Sequence, residues 1–452
     1  MTDQHMNTLA ARARELMAEL HIPGAALGVL HHSALHTVGL GSTSVEYGLP
    51  VTPATLFQIG SISKTFLGTA AMRLVQQGRL SLDTPVKELL PELRLRDSAV
   101  EALVTLRHLL SHTAGWTGDY FDDMGWGDNA LALYVERMAE LPQEIPLGAL
   151  FSYNNAGFNL AGRLIERATG QPFEQAMAEL LFGPLGLQQC FYFPDDAMTR
   201  SFAVGHTIDG GKPIIARPWS IGRSSHAAGG IAASIEDLLR YAAFHIAGGK
   251  NAGGEQILSS ESIAAMREAQ VSTGSLPDRI GLTWFMREAG GQLIIGHGGA
   301  TNGQMAQLTI VPGAGFALAS LTNASSGSTL NSELVRLGLR LFLGIEEPDP
   351  APLSLPTDQL SAYAGRYLNP LYEYELSIGG DGLMLHTTSL GGFPRLDSPP
   401  RPAVPPMPVA LYAADKLVVT SGPAKGTRGD FGRDAAGKLA WLRMGSRVRM
   451  RA

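Results

Sequence analysis

Apolar residues recur along this chain with two periods, which separates helical from extended segments. Leu9, Leu16, Met17 and Leu20 share one side of an N-terminal helix. Apolar runs at 24–32 and 34–41 predict two short strands joined by a turn at Ser33. Further helices are expected at 65–77, 130–140, 157–168, 234–247 and 329–343, and further strands at 291–299, 305–312 and 315–323.

Extended runs near the start and again before residue 345, with helices between them, predict one antiparallel sheet flanked by helices. A Pro-rich linker is expected at 346–358. Over 359–452 the pattern changes to short alternating stretches separated by Gly, Asp and Pro. This pattern indicates a small β-barrel or sandwich. The predicted domains are therefore 1–345 and 359–452, within an α/β (α+β) protein.

Composition narrows the class of partner. The 452 residues carry a formal net charge of −6, so nucleic acid is not an expected partner. Cys190 is the single cysteine and sits among apolar residues, which excludes an intrachain disulfide and predicts a buried thiol. No apolar run is long enough to span a membrane, and no secretory signal pattern opens the chain, so a cytoplasmic protein is expected.

The segment "QIGSISKTFLG" (58–68) offers the first candidate chemistry. Ser61 and Lys64 are three residues apart at the start of a predicted helix, which puts both side chains on one face. A neutral lysine amine can take the proton of a serine hydroxyl, but neutrality needs burial or a neighbouring cation. Chance alone produces such a pair in many chains, and Ser61 can equally be a helix cap.

Two later segments carry further candidates. In "FSYNNAGFNLAGRLIE" (151–166), Tyr153 can act as a general base, and Asn155 can orient a lysine or hold a substrate carbonyl. In "LIIGHGGATNG" (293–303), a strand ends in His297 followed by two glycines, which allows a close approach of the backbone to a ligand. Each segment also has a purely structural interpretation.

Taken in order, Ser-x-x-Lys, Tyr-x-Asn and a basic residue with Gly-Gly after a strand resemble the serine β-lactamase-like superfamily. That superfamily includes class C β-lactamases, penicillin-binding DD-peptidases and related esterases. The resemblance spans about residues 10–345 and extends to "LLSHTAG" (109–115). It implies a β-lactamase/transpeptidase-like fold with an all-helical subdomain. The tail, from "YAGRYLNP" to "RVRMR", resembles the lipocalin-like domain that follows some of these peptidases.

The resemblance implies a role for each matching residue. Ser61 would form the acyl-enzyme, Lys64 would assist proton removal, and Tyr153 would serve as base and then as acid. Asn155 would bind the substrate amide, and the backbone N–H groups of Ser61 and Ala300 would form the oxyanion hole. The residues expected to line the substrate pocket are Gly298, Gly299, Trp116, Trp284 and Arg447.

One residue departs from the family pattern. Class C β-lactamases place a lysine where His297 stands, and that lysine recognises the β-lactam carboxylate. The departure weighs against a dedicated β-lactamase. The resemblance therefore favours an esterase or a D-amino-acid-type peptidase or amidase. A peptide-cyclising thioesterase, a β-lactamase and a non-enzymatic binder on the same fold stay as alternatives.

The expected partner is a small-molecule or short-peptide substrate, without a cofactor or a metal ion. Four acidic residues, Asp119, Asp122, Asp123 and Asp128, superficially resemble a calcium loop, but their spacing does not match an EF-hand. The oligomeric state cannot be read from the sequence.

Overall fold

The structure is a computed structural model that describes residues 2–380, 382–422 and 424–452. An eight-stranded sheet organises the larger part of the chain, and all its neighbouring strands for which a register is defined run antiparallel. In spatial order its strands are Ala34–Gly41, Gly24–His31, Phe316–Thr322, Met305–Val311, Gln292–Ala300, Phe285–Ala289, Arg279–Ile280 and Val271–Ser272. The first and last thirds of this part of the chain therefore meet in one sheet, as the sequence predicts.

Helices cover both faces of this sheet because its central strands are apolar on both sides. The Gly24–His31 strand is buried at every position except its last residue, His31. Ala26 and Leu30 pack towards one face, which the Ile235–Ile246 helix covers. Ala25, Leu27 and Val29 pack towards the other face, beneath the Thr2–Glu19 and Gly327–Leu343 helices.

A helical region lies between the early and late strands. Its helix Asn155–Thr169 is capped at the start by Asn154, whose side chain accepts the N–H of Gly157, and at the end by Gly170 in the left-handed conformation. The α-helices of this region are Ser63–Gln76, Val86–Leu89, Ser98–Leu103, Leu106–Leu110, Ala130–Arg137, Asn155–Thr169, Phe173–Met177, Gly183–Leu185, Pro194–Ala197 and His226–Gly229. The remaining α-helices are Thr2–Glu19, Ile235–Ile246, Ser260–Met266, Gly327–Leu343 and Thr357–Ser361. Two small sheets complete this part of the chain: Phe57–Gln58 with Ala232–Ala233 and Cys190–Phe191, and His206–Asp209 with Lys212–Ile215.

The C-terminal part is a closed eight-stranded barrel with its own apolar core. Its strands are Gly365–Leu368, Tyr372–Gly379, Gly382–Ser389, Met407–Ala413, Lys416–Val419, Arg428–Arg433, Leu439–Met444 and Arg447–Arg451. Leucine, valine and aromatic side chains from its strands pack together inside it. The mixed α/β architecture with a terminal barrel confirms the predicted fold class.

One end of the barrel faces the larger domain. The turn at Gly445–Ser446 joins the last two strands there, and the carbonyl of Ser446 accepts a hydrogen bond of 2.8 Å from the N–H of Tyr153. The barrel loop that contains Phe393 lies beside the 116–130 loop, where the Phe393 and Phe121 rings are 5.0 Å apart. No helix among the described residues is both long and apolar enough to cross a membrane.

Candidate active site

Ser61 and Lys64 meet at a short turn that runs into a buried helix. Gly60–Ile62 forms a 3₁₀ turn, and the Ser63–Gln76 helix follows directly. This geometry places the Lys64 Nζ 3.2 Å from the Ser61 Oγ. The Lys64 Nζ also lies 2.7 Å from the Asn155 Oδ1 and 2.5 Å from the carbonyl oxygen of Ala228. Ser61 is partly exposed, whereas Lys64 is completely buried.

These contacts match a neutral lysine. Burial lowers the pKa of Lys64 well below its usual value, and the positive charge of Arg447 lowers it further, while Asp119 raises it. A neutral amine has two N–H donors, which the Asn155 Oδ1 and the Ala228 carbonyl can accept. Its lone pair is then available to the Ser61 hydroxyl proton. The geometry therefore suits Lys64 as a proton acceptor.

Asn155 is held in one orientation by a carboxylate behind it. Its Nδ2 donates to the Asp119 Oδ1 at 2.7 Å, and because a carboxylate accepts and does not donate, the Asn155 Oδ1 must face Lys64. Asp119 in turn forms a two-pronged ion pair with Arg447 of the barrel. A continuous path of polar contacts thus runs from Arg447 through Asp119, Asn155 and Lys64 to Ser61.

Tyr153 stands beside this path. Its ring lies 5.0 Å from the Lys64 Nζ and 4.8 Å from the Arg447 guanidinium, and it stacks on the ring of His112 at 4.2 Å. Burial raises the pKa of Tyr153, whereas Ser61 and Arg447 oppose that rise. The phenol is therefore protonated at neutral pH. Its hydroxyl is buried without a well-formed hydrogen bond, so it is free to engage a substrate atom beside Ser61.

His297 is neutral in this site. Its Nδ1 lies 2.5 Å from the Gly298 carbonyl, which can only accept, so the Nδ1 carries the hydrogen. Burial lowers the pKa of His297 to about 3, with Lys64 contributing in the same direction. The buried Nε2 is left as an acceptor without a partner among the described residues. With its Nδ1–H held by Gly298 and its Nε2 unprotonated, His297 is suited to accept a hydrogen bond or relay a proton, and it is not a cation.

The end of the Gln292–Ala300 strand lies directly against the Ser61 turn. A Cβ added to Gly60, whose φ is +50°, would lie 2.6 Å from the amide nitrogen of Ala300. A Cβ added to Gly299 would lie 1.9 Å from the carbonyl oxygen of Ile59. Only glycine fits at both positions, because the two backbones touch. This contact places the backbone at Ala300 beside the turn that carries Ser61, the two positions whose N–H groups are predicted to form an oxyanion hole.

Both tryptophans expected in the pocket belong to the core. Trp284 has no exposed surface and stacks on Tyr241 at 6.2 Å. Trp116 is 4% exposed, and its carbonyl accepts a hydrogen bond from the Asn154 side chain. Their large apolar side chains are used for packing, so the predicted substrate contacts are corrected for both. Gly298 lies at the site, partly exposed on the same strand as His297.

The barrel binds three consecutive residues of the Tyr153 segment, which sequence reasoning missed. The Arg443 Nη1 donates to the Phe151 carbonyl at 3.1 Å, and the N–H of Val448 donates to the Ser152 Oγ at 3.2 Å. The N–H of Tyr153 donates to Ser446, as described above. A serine and an arginine in the tail gave no local signal for these contacts, since they depend on how the two domains pack.

A buried ion-pair cluster supports the side of the site that carries Ala228. Glu174 contacts Arg223 through both carboxylate oxygens, at 3.1 and 2.9 Å, and lies 2.7 Å from the Nδ1 of His226. His226 begins the short helix that carries the carbonyl of Ala228. The cluster therefore fixes one of the three groups that surround the Lys64 amine. Among the described residues, no group of acidic, histidine or cysteine side chains is arranged to hold a metal ion.

Comparison with known proteins agrees with this geometry. The family model described as Beta-lactamase matches residues 9–339. Penicillin-binding protein 4 of Amycolatopsis lactamdurans is 35% identical over 361 residues, which cover 78% of this chain and 94% of that protein. Esterase EstB of Burkholderia gladioli is 33% identical over 215 residues, which cover 44% of this chain and 54% of the esterase.

Among solved structures, the crystal structure of SurE with D-Leu superposes with a TM-score of 0.74 at 29% identity and covers 100% of both chains. The likeness therefore includes the barrel as well as the larger domain. Three matches identify the family of this chain: the family model over residues 9–339, the penicillin-binding relative and the full-length structural likeness. The chain belongs to the β-lactamase family, and it is an enzyme of the serine acyl hydrolase and acyltransferase superfamily.

Proposed function

We propose that Ser61 is the nucleophile of this enzyme and that Lys64 is the base that activates it. The observation that carries the proposal is the fully buried Lys64 amine, held 3.2 Å from the Ser61 Oγ by two acceptors. The Ser61 hydroxyl gives its proton to this amine while its oxygen attacks the acyl carbonyl. The backbone N–H groups of Ser61 and Ala300 stabilise the resulting oxyanion, each by about 3–4 kcal/mol in comparable sites.

Tyr153 completes the reaction in this proposal. Its phenol is protonated, so it donates its proton to the leaving group when the acyl–enzyme forms, and Lys64 restores that proton. The expectation that Tyr153 is the first base changes accordingly, because a phenol that is already protonated at neutral pH cannot accept the Ser61 proton but can pass its own proton on. An incoming nucleophile then reverses the sequence and releases the acyl group from Ser61.

We infer that the acyl group is peptidyl, with a D-configured residue at the reacting end. Two similarities support this substrate class: the 35% identity to a penicillin-binding protein, and the full-length likeness to SurE, whose structure contains D-Leu. A neutral His297 in place of the family lysine leaves no cation on that strand for a β-lactam carboxylate. D-residue peptide esters, thioesters and amides are therefore better candidates than β-lactams.

The test compares Ser61→Ala with Ser63→Ala. Both serines are near the start of the same helix, but the Ser63 Oγ is buried and accepts the N–H of Ile231 at 3.1 Å. We expect Ser61→Ala to lose both turnover of a p-nitrophenyl ester and labelling by a fluorophosphonate probe. Ser63→Ala is expected to keep the label. Full labelling of Ser61→Ala would refute the assignment of the nucleophile.

A second candidate is transfer of the acyl group to an amine of the same peptide, which gives a cyclic product. One observation favours it: the His297 Nε2 is an unpaired buried acceptor, and its low pKa leaves it free to accept an N–H of an incoming amine. Mass spectrometry of products from a D-residue peptide thioester with a free amino terminus separates the two outcomes. Cyclic product supports transfer, and acid as the sole product from all such thioesters contradicts it.

A further inference from the structure

Three arginines lie close together at the end of the chain, and the structure separates their roles. Arg443 forms an ion pair with Asp430 through two hydrogen bonds of 2.9 and 2.6 Å. Arg447 forms its ion pair with Asp119. Arg449 forms no ion pair with any described residue, although it is only 2% exposed.

The Arg449 side chain points into the barrel. It pairs across strands with Leu442, a member of the barrel core, and its guanidinium stacks on the Tyr374 ring at 3.7 Å. Tyr374 pairs in turn with Tyr367, which is also in the core. Leu442 and Tyr367 both belong to the apolar core of the barrel, so the Arg449 guanidinium is a cation packed against apolar and aromatic side chains.

Its hydrogen bonds use only one nitrogen. The Nη1 donates to the carbonyl oxygens of Met444 and Arg447, at 2.8 and 3.1 Å. The Nε is buried without a partner, and the Nη2 forms no hydrogen bond with a described residue. The Nε and Nη2 atoms form the edge with which a guanidinium binds a carboxylate or phosphate through two parallel bonds. That edge therefore has no hydrogen-bond acceptor among the described residues.

A buried cation without a counter-charge is costly, and proteins usually pair it. Burial lowers the pKa of Arg449 and Arg447 acts in the same direction, whereas Tyr374 and Asp119 oppose the shift without reversing it. Asp119 is already shared between Arg447 and Asn155. The end of the barrel that faces Tyr153 thus has three arginines, Arg443, Arg447 and Arg449, and two carboxylates, Asp430 and Asp119, which leaves one positive charge for a ligand.

We propose that the free edge of Arg449 binds an anionic group of the substrate, a carboxylate or a phosphate, at the mouth of the barrel beside the active site. The proposal rests on the proposed function, because it places the anion on the molecule that acylates Ser61. It differs from the predicted role of Arg447, whose two-pronged contact is already occupied by Asp119. Arg449 becomes the residue that selects the substrate, and Arg447 becomes a positioning residue.

The anion can lie on the acyl part or on the leaving group, and two substrate series distinguish them. One series replaces Gln by Glu at successive positions of the D-residue peptidyl part of a neutral ester. The other keeps the peptidyl part and compares a carboxylate, a carboxamide and a phosphate on the leaving group. An acyl-side anion remains bound during release from Ser61, whereas a leaving-group anion affects only acylation.

The variant is Arg449→Gln, and the matched control is Arg451→Gln on the same strand, whose guanidinium donates, among the described residues, to the carbonyls of Ala362 and Ala364. We expect wild type to prefer an anionic substrate in one series by about tenfold to a hundredfold in kcat/KM, the range for a hydrogen bond to a charged group. Arg449→Gln should lose this preference, keep its rate on neutral substrates and keep fluorophosphonate labelling of Ser61. Arg451→Gln should keep the preference.

Several results overturn the proposal. Wild type without a preference in either series contradicts it, and so does an unchanged preference in Arg449→Gln. Loss of labelling in wild type would instead refute the proposed function. Thermal unfolding of Arg449→Met gives an independent test without substrate. An unpaired cation predicts an equal or higher midpoint, whereas a clearly lower midpoint assigns Arg449 a structural role and refutes the binding site.

Discussion

Asp119 and Arg447 act on the protonation of Lys64 in opposite directions, which gives a test with a sign. The negative charge of Asp119 raises the pKa of Lys64, and the positive charge of Arg447 lowers it. If Lys64 is the base, activity rises with pH as its amine loses a proton, so the acidic limb of the rate profile reports its pKa. Asp119→Asn should move that limb to lower pH, and Arg447→Gln should move it to higher pH.

The size of the shift follows from the distances. Two hydrogen bonds of 2.7 Å and one amide group separate the Asp119 carboxylate from the Lys64 amine. The charges are thus roughly 7 Å apart. At an effective dielectric constant of about 20, they interact by about 2 kcal/mol, which is about a thirtyfold effect on the protonation equilibrium. We therefore expect a clear displacement of the limb in each single variant, in opposite directions, and a profile near wild type in the double variant.

The assay is the pH dependence of kcat/KM on a p-nitrophenyl ester, normalised to the plateau of each variant. Breaking a buried ion pair costs about 3–5 kcal/mol of stability, but normalisation removes differences in the amount of folded enzyme. Asp83→Asn is the control, because it breaks the largely exposed pair with Arg107. It should leave the limb unchanged. Limbs that move in the same direction in Asp119→Asn and Arg447→Gln would refute Lys64 as the titrating base.

Three further predictions concern the surroundings of the site. Glu174 has its pKa lowered to about 2, because the contacts with His226 and Arg223 outweigh the opposing effect of burial, against 4.5 for the free group. Because its folded-state pKa is lower than its unfolded-state pKa, this carboxylate should contribute about 3 kcal/mol of stability above pH 4.5, and that contribution is lost as the pH falls towards 2. Urea unfolding of Glu174→Gln at several pH values should lack this pH dependence. Gly60→Ala should reduce kcat at least about a hundredfold, because the added Cβ pushes the predicted oxyanion donors apart. The control is Gly78→Ala, at φ +68° with open space around it, which should change kcat little. Equal losses in both variants would show that backbone strain at positive φ is responsible. The His297 ring should show no NMR titration between pH 5 and 8, since its pKa is about 3, and a midpoint near 6.5 would contradict its burial as a neutral group.

Much of the fold could be predicted because its strands and helices have local periodicity. The apolar run at 291–299 is the strand Gln292–Ala300 in the sheet, and the predicted helix at 157–168 is Asn155–Thr169. The alternation after residue 359 indicated a barrel or sandwich, and the chain closes as a barrel. Short runs of alternating residues define strands well, which explains this agreement. The exact domain boundaries stay a prediction.

The site was harder to predict wherever it depends on contacts between residues that are far apart in the sequence. In the sequence, Asp119 is one of four acidic residues whose spacing does not match an EF-hand, and nothing there indicates that it pairs with Arg447, which lies 328 residues later. Nothing in either local segment specifies that partner. Trp284 shows the opposite failure, since a large aromatic residue near the predicted site was expected to contact substrate but fills the core. Burial of single side chains follows from tertiary packing, which local patterns do not determine.

The position of the cation near Tyr153 distinguishes this site from the lysine-containing pattern of its family. A Lys-Thr-Gly sequence would place a charge on the strand that ends at Ala300, but the residue there is His297, which burial keeps neutral. The guanidinium of Arg447 instead lies 4.8 Å from the Tyr153 ring, and it comes from the barrel. The same barrel strand binds the segment that carries Tyr153, so any movement of the barrel changes both the position of the tyrosine and the charge beside Lys64. For this reason, we expect separation of the barrel from the larger domain to abolish acyl transfer even where Ser61 and Lys64 remain in place.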